Sequence, residues 1–425
     1  MLTACSLLLT ANHFYMSDKS FDTKILHTSY AKPDAYNALS MPVYNSAAFE
    51  FDSAEQMELA FTGRAADHTY SRITNPTVQY FEDRVKSITG AFSVTALNSG
   101  MAAITNAVIT LAKSGDNIVT SRHLFGNTYS FFASTLAAFG VETRFCNLTD
   151  LNEVESKTDA KTCAVFLEII TNPQMEVADL KSISAICKAK QIPLVADTTI
   201  VPFGIFKAPD FGIDIELVSS TKYISGGATS LGGLIVDYGT FDWSKSEKLE
   251  LLAKDFGNAA FTAKLRKEVH RNMGAYMTPQ VAYMQTLGLE TLSLRFEKSS
   301  HNCLKLASEV EKLDGVESVN YTGLKSNKFY ALSCQQFGEY PGAMFTLNLS
   351  SREAAFQFLN KLKLVKRATN LFDNKTLAIH PASTIYGNFT AAQREAMNVS
   401  DKTVRISVGL ESVADLLADF QQALL

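Results

Sequence analysis

From Ser99 onward the apolar positions of the chain switch repeatedly between two periods. Met101, Ile104, Val108 and Leu111 recur at helical spacing behind Ser99, a residue suited to cap a helix that ends at Ser114-Gly115. A short strand, Asn117 to Thr120, follows, and then a helix over Tyr129 to Phe139 that Gly140 stops. Near-continuous apolar runs at Cys163–Leu167, Pro193–Ala196, Ile215–Val218 and Gly233–Val236 read as further strands, several of them separated by helical segments. Strands apolar on both faces, alternating with helices, predict an α/β fold with a parallel sheet covered on both sides. Right-handed crossovers then gather the loops after the strands along one edge.

Beyond about Gly288 the pattern changes. A long helix, Leu289 to Leu313, is expected to lead into hairpin-like strands such as Ala343–Leu347 and a helix from Arg352 to Leu362. Val404–Val408 and a helix capped by Ser412 close the chain. At 425 residues the chain exceeds what one core serves, so a large domain over 76–287 and a smaller α/β domain over 288–425 are expected.

Composition narrows the partners. A net charge of -4, with no basic stripe, gives no reason to expect nucleic acid or an anionic membrane. Met1 to Thr10 is apolar but lacks a basic leader and is too short to span a bilayer, so residues 1–16 read as a disordered extension. Six scattered cysteines without a C-x-x-C pair argue against a zinc site or a disulfide framework and fit a reducing, cytoplasmic setting.

The candidate chemistry centres on Ser219-Ser220-Thr221-Lys222, which lies between an apolar strand and the glycine-rich run from Ser225 to Gly233. A lysine at the end of a buried strand loses solvation of its ammonium form and becomes a nucleophile suited to Schiff-base chemistry. Ser99-Gly100-Met101 opens a helix, where free amides and the dipole favour a phosphate and Gly100 permits close approach. Asn172 precedes Pro173 after an apolar run, and Asp197 ends the strand Pro193–Ala196. Singly, these residues are an ordinary cap, turn and loop carboxylate; in this order at strand ends they make a pyridoxal phosphate (PLP) site. Ser219-Ser220-Thr221-Lys222 also matches the S-x-x-K motif of serine penicillin-binding enzymes, but the S-D-N and K-T-G partners are missing from the chain.

Across about Ile25 to Leu425 the chain resembles the cystathionine gamma-synthase-like family of PLP enzymes of cysteine and methionine metabolism. The resemblance rests on Tyr70-Ser71-Arg72-Ile73-Thr74-Asn75-Pro76, Ser99-Gly100-Met101, Asn172-Pro173, Asp197-Thr198-Thr199 and Ser219–Tyr223. It continues through Gly288-Leu289-Glu290-Thr291, His380-Pro381-Ala382-Ser383-Thr384 and Val404–Gly409. It implies a type I PLP-dependent transferase fold with Lys222 as the internal aldimine and proton shuttle. Asp197 would pair with the pyridine nitrogen and Asn172 with the ring oxygen. Gly100 and Met101 amides with Ser99, Ser219 and Thr221 would hold the phosphate, and Phe125 would stack on the ring. Tyr70 and Arg72, in an N-terminal arm over 17–75, would reach the site of a neighbouring subunit in a homodimer-based homotetramer. Arg405, Asn370 and Tyr70 would contact the amino-acid substrate, with Arg405 as a fork for its α-carboxylate. Alternation along the last strand agrees, since Val404, Ile406 and Val408 share one face and Arg405 and Ser407 the other.

Several positions depart from the family pattern. Phe125 replaces the usual stacked tyrosine and cannot move a proton. Gly227 replaces a histidine, Asp197-Thr198-Thr199 carries Thr for Asn, and Thr369–Asn374 stands where Ser-Leu-Gly is common. Asn127 takes the place of the cysteine typical of methionine gamma-lyases. The resemblance is greatest to O-acetylhomoserine sulfhydrylases, implying gamma-replacement of acetate by sulfide or a small thiol; cystathionine gamma-synthase and the gamma-lyases are the alternatives.

Overall fold

A computed structural model describes residues 19–28 and 34–425, so the proposed extension over 1–16 lies outside the described residues. The larger sheet contains β1 (Ser93–Leu97), β2 (Asn117–Ser121), β3 (Glu142–Cys146), β4 (Thr162–Glu168), β5 (Leu194–Asp197), β6 (Ile215–Val218) and β7 (Gly233–Asp237). Their order is β1-β7-β6-β5-β4-β2-β3. The pairings among β3, β2, β4, β5 and β6 are all parallel. Alternate residues explain why these strands are apolar throughout. Val165 and Leu167 pack on one face of β4, in a cluster with Leu194 and Ala196, while Ala164 and Phe166 pack on the other with Val195 and Leu217. Both faces are thus withdrawn from water, and the charged residues within or ending these strands stand out.

β7 departs from the all-parallel expectation, pairing antiparallel with both β6 and β1. The link from β6 to β7 holds only a 3₁₀ turn, Tyr223–Ser225, and no crossover helix, so the strand returns alongside its predecessor. That helix-free link carries Lys222. The helix expected over Tyr129–Phe139 begins earlier, at Gly126, and passes through π and 3₁₀ turns before Gly140 ends it with φ 75°.

The smaller sheet, in the order β10-β11-β12-β9-β8, comprises β8 (Ser318–Asn320), β9 (Met344–Asn348), β10 (Lys366–Arg367), β11 (Leu377–Ile379) and β12 (Thr403–Ser407). The long helix expected over 289–313 is two helices, Pro279–Glu290 and Leu292–Val310, broken at Thr291. The first is announced by Thr278, whose side chain caps it ahead of Pro279. At the break the Arg295 guanidinium donates to Gly288 O, a carbonyl that a continuous helix would have used, and also to Thr291 Oγ1 and to Tyr223 O of the β6–β7 link. Ser412 precedes the final helix, Val413–Leu424, but makes no side-chain cap. Val404, Ile406 and Val408 are fully buried in the core, as alternation requires.

Candidate active site

The carboxyl ends of β4, β5 and β6 converge on one cavity of about 340 Å³. Its floor follows from sheet register: Glu168 on β4 is paired with Asp197 on β5, and Asp197 with Leu217 on β6. Ser99, Gly100 and Met101 line one end, Phe125 and Asn172 the walls, and Ser219, Thr221, Lys222 and Arg405 the remainder. Asn370 faces the adjoining mouth, which Phe125, Thr221 and Lys222 also line. Tyr70 and Arg72 line neither. Arg72 instead donates to Arg271 O at 2.6 Å, and Tyr70 is 43% exposed.

The helix start meets the lysine loop directly. Ser99 Oγ accepts from Ala102 N at 3.1 Å, so the hydroxyl serves as the helix cap. A Cβ on Gly100 would sit 2.7 Å from Ser219 Cβ, which is why only glycine permits this approach. The hydroxyl of Thr221 both donates to Gly232 O (3.1 Å) and accepts from Gly232 N (3.0 Å), pinning the two ends of the glycine-rich link together. Gly227, at φ 130°, leaves the space that Asn374 occupies, and Asn374 Nδ2 donates to Gly226 O at 2.8 Å.

Lys222 Nζ donates to Asn370 Oδ1 at 2.8 Å. Burial lowers its pKa to about 8; the positive charge of Arg405 adds to the shift and Asp197 opposes it. Asp197 is pushed upward by burial, against the Thr199 hydrogen bonds and Lys222, and accepts from Thr199 N at 2.9 Å. Arg405 is 2% exposed. Its Nη1 donates to Asn172 Oδ1 at 3.2 Å, its Nη2 reaches Thr369 O and Asn370 O, and its Nε is buried without a partner. Burial lowers the guanidinium pKa to about 9, which leaves it a cation at neutral pH. A cavity that sets Lys222 and Arg405 beside an amide-bearing helix start, and whose carboxyl groups Glu168 and Asp197 are pushed toward the protonated form by burial, suits anions.

Sequence reasoning passed over Glu168 and Tyr386. Glu168 lines the cavity, and burial, then Asp197, raises its pKa to about 8. The available signal was a charged residue continuing an apolar strand, which is costly unless the structure uses it.

The residues fit PLP. An amine with a lowered pKa, a buried carboxylate at a neighbouring strand end, a glycine-opened helix start and an unpartnered guanidinium Nε meet the needs of its aldehyde, ring nitrogen and phosphate and of a substrate carboxylate.

Comparison with known proteins agrees with this fit. A profile of the family described as Cys/Met metabolism PLP-dependent enzyme matches residues 22–425. The chain is 33% identical to the O-acetyl-L-homoserine sulfhydrylase of Corynebacterium glutamicum, over 94% of this chain and 96% of that one. It is likewise 33% identical to the homocysteine/cysteine synthase of Saccharomyces cerevisiae, over 95% and 97% of the two chains. Among solved structures, an O-acetylhomoserine (thiol)-lyase from Campylobacter jejuni carrying N'-pyridoxyl-lysine-5'-monophosphate superposes with a TM-score of 0.89 at 31% identity, covering 96% of this chain and 100% of that one. The O-acetylhomoserine sulfhydrylase of Wolinella succinogenes is 44% identical with a TM-score of 0.75, covering 84% and 99%. The cavity and these likenesses lead to one assignment: the chain belongs to the Cys/Met metabolism PLP-dependent enzyme family.

Proposed function

We propose that this enzyme exchanges the acetate of O-acetyl-L-homoserine for sulfide or a small thiol, giving L-homocysteine or methionine. The observation that carries the reading is the single cavity uniting Lys222, Asp197, the Gly100 helix start and Arg405. Lys222 would hold PLP, Asp197 would keep its ring nitrogen protonated, and the amides of Gly100 and Met101 with Ser219 would bind its phosphate. When bound, PLP supplies an electron sink for the substrate's amino-bearing carbon. Arg405 anchors the substrate α-carboxylate, held in place by Asn172 and the Thr369 and Asn370 carbonyls. Lys222, whose amine is readily freed of its proton, exchanges protons at the substrate's Cα, and Asn370 fixes its Nζ. Phe125 offers an apolar wall and no proton, so departure of acetate, a good leaving group at neutral pH, needs no help from it.

The mouth supports a small acceptor. Thr221, Thr229, Ser230, Thr369 and Thr384 line it with hydroxyls, and Lys222 is the one cation that lines it among the described residues. Cysteine would bring a second carboxylate with no arginine there to receive it. Relatives named O-acetyl-L-homoserine sulfhydrylase and homocysteine synthase support the same reading.

The reading extends to assembly: a homodimer-based homotetramer in the cytoplasm, with the arm over 17–75 placing Tyr70 and Arg72 at a neighbour's site. Residues 76–287 then bind PLP, and residues 288–425 form the smaller domain that supplies Arg405 and Asn370. The test compares kcat/KM for O-acetyl- and O-succinyl-homoserine with sulfide, methanethiol and cysteine, alongside ammonia release from methionine and cystathionine. Replacement by sulfide is expected to be fastest. Faster lyase turnover on methionine or cystathionine would overturn the assignment.

A further inference from the structure

Two loops that follow the neighbouring strands β2 and β4 and line the cavity are tied by the same pair of buried side chains. The loop after β2 carries Phe125, and the loop after β4 carries Asn172, the partner of Arg405. Glu168 Oε1 accepts from Phe125 N at 2.7 Å, and its Oε2 accepts from Asn172 N at 3.2 Å. Tyr386, fully buried in the smaller domain's contribution to the site, answers from the other side. Its hydroxyl lies 2.8 Å from Leu124 O and 3.0 Å from Asn172 O, where it donates. Thus Glu168 takes the amides of both loops and Tyr386 serves their carbonyls.

We propose that Glu168 and Tyr386 are positioning residues that hold the Asn172–Arg405 pair in register with the Phe125 wall, so that Arg405 meets the substrate carboxylate at a set distance from Lys222. The proposal rests on the reading of Arg405 as the carboxylate site.

The chemistry of Glu168 makes the arrangement sensitive. Each carboxyl oxygen accepts a backbone N–H, the protonated one through a lone pair with its proton turned away, and a buried acceptor pair of this kind is costly to disturb. Glu168→Gln keeps the shape but turns an amide NH₂ toward one of the two N–H donors. The repulsion displaces one loop, and with it either Phe125 or Asn172. Tyr386→Phe removes the hydroxyl alone and leaves two carbonyls without their donor.

The experiment uses the holoenzyme and titrates L-alanine against L-alaninamide by the change in cofactor absorbance. The two probes differ only in the carboxylate. Wild type is expected to prefer the carboxylate, and Glu168→Gln to reduce that preference about tenfold, the effect of one misplaced charged hydrogen bond. Tyr386→Phe is expected to reduce it less. In an Arg405→Lys background neither change should lower the preference further. A general loosening of the fold would weaken both probes alike and leave the preference intact, and that result would overturn the proposal. Arg405→Lys with an unchanged preference would overturn the carboxylate assignment itself, and this proposal with it. Should Glu168→Gln fail to fold, Tyr386→Phe decides the matter: a reduced preference supports the clamp and an unchanged one overturns it.

Discussion

The strand ends of the larger sheet and the N-terminal arm invert the usual placement of residues in opposite ways. At the sheet edge, charged groups are buried and answered from within the chain: Lys222 by Asn370, Glu168 by two main-chain amides, Arg405 by Asn172 and two carbonyls. In the arm, apolar groups are exposed. The helix Ala54–Phe61 has no buried residue, and Leu39, Tyr36, Phe61 and Met57 are 99%, 92%, 54% and 46% exposed. Large apolar side chains left in solvent at this density are unusual for a surface that stays uncovered. The contrast teaches that Lys222, Asp197 and Arg405 are brought together within a single chain, whereas Tyr70 and Arg72 lie outside that cavity, on a segment with exposed apolar side chains.

The largest expected effect tests the self-contained half. Lys222→Ala should lower turnover by several orders of magnitude, because the proton carrier is removed with the cofactor's anchor. In the wild-type apoprotein, the rate of PLP capture should rise with pH through about 8, since burial destabilises the ammonium form of Lys222. A rate that keeps climbing toward pH 10 would show a solvated lysine instead.

The next prediction addresses the arm. Arg72→Ala and Lys222→Ala proteins, each impaired, should recover activity after mixing and reassembly, since a mixed dimer contains one site with both intact halves. Random exchange would restore about a quarter of the sites. Absence of recovery after subunit exchange verified by mass would separate Arg72 from any neighbouring site. Phe61→Glu should have a smaller effect, placing a charge on the exposed apolar face. Sedimentation at falling protein concentration should then show dissociation earlier than in wild type, with kcat per assembled site retained.

The smallest effect concerns Glu216, buried on β6 in register with Ala196. Its carboxyl accepts from Thr198 Oγ1 and Tyr238 OH, each at 2.5 Å. Burial raises its pKa from 4.5 to about 7. The native state therefore holds this proton more tightly than the unfolded chain, and the associated stability, full below pH 4.5, is lost as pH rises through 7. Glu216→Gln removes that dependence. The Tm of the variant relative to wild type should rise by a few degrees between pH 5 and pH 8, and a flat difference would contradict a protonated Glu216.

Much of this was legible in the chain itself. Alternating periods identified the α/β class, and the order of Gly100, Asn172, Asp197 and Lys222 at strand ends marked a PLP site. These features are local: each strand's burial is written in its own apolar run, and each cap in the residue before its helix. Tertiary structure decided the rest. Periodicity reports which faces of a strand are buried but not which strand lies beside it, so the antiparallel return of β7 and the pairing of Glu168 with Asp197 were invisible. Arg405 meets Asn172 across 233 residues, and Tyr386 reaches Leu124 across 262. Such contacts depend on strand order and on how the two sheets are brought together, because a hydrogen bond is set by distances of a few ångströms that no one-dimensional spacing encodes. For the same reason the chain announced its lysine plainly and kept silent about Glu168, a single charge whose purpose appears only where two distant loops come together.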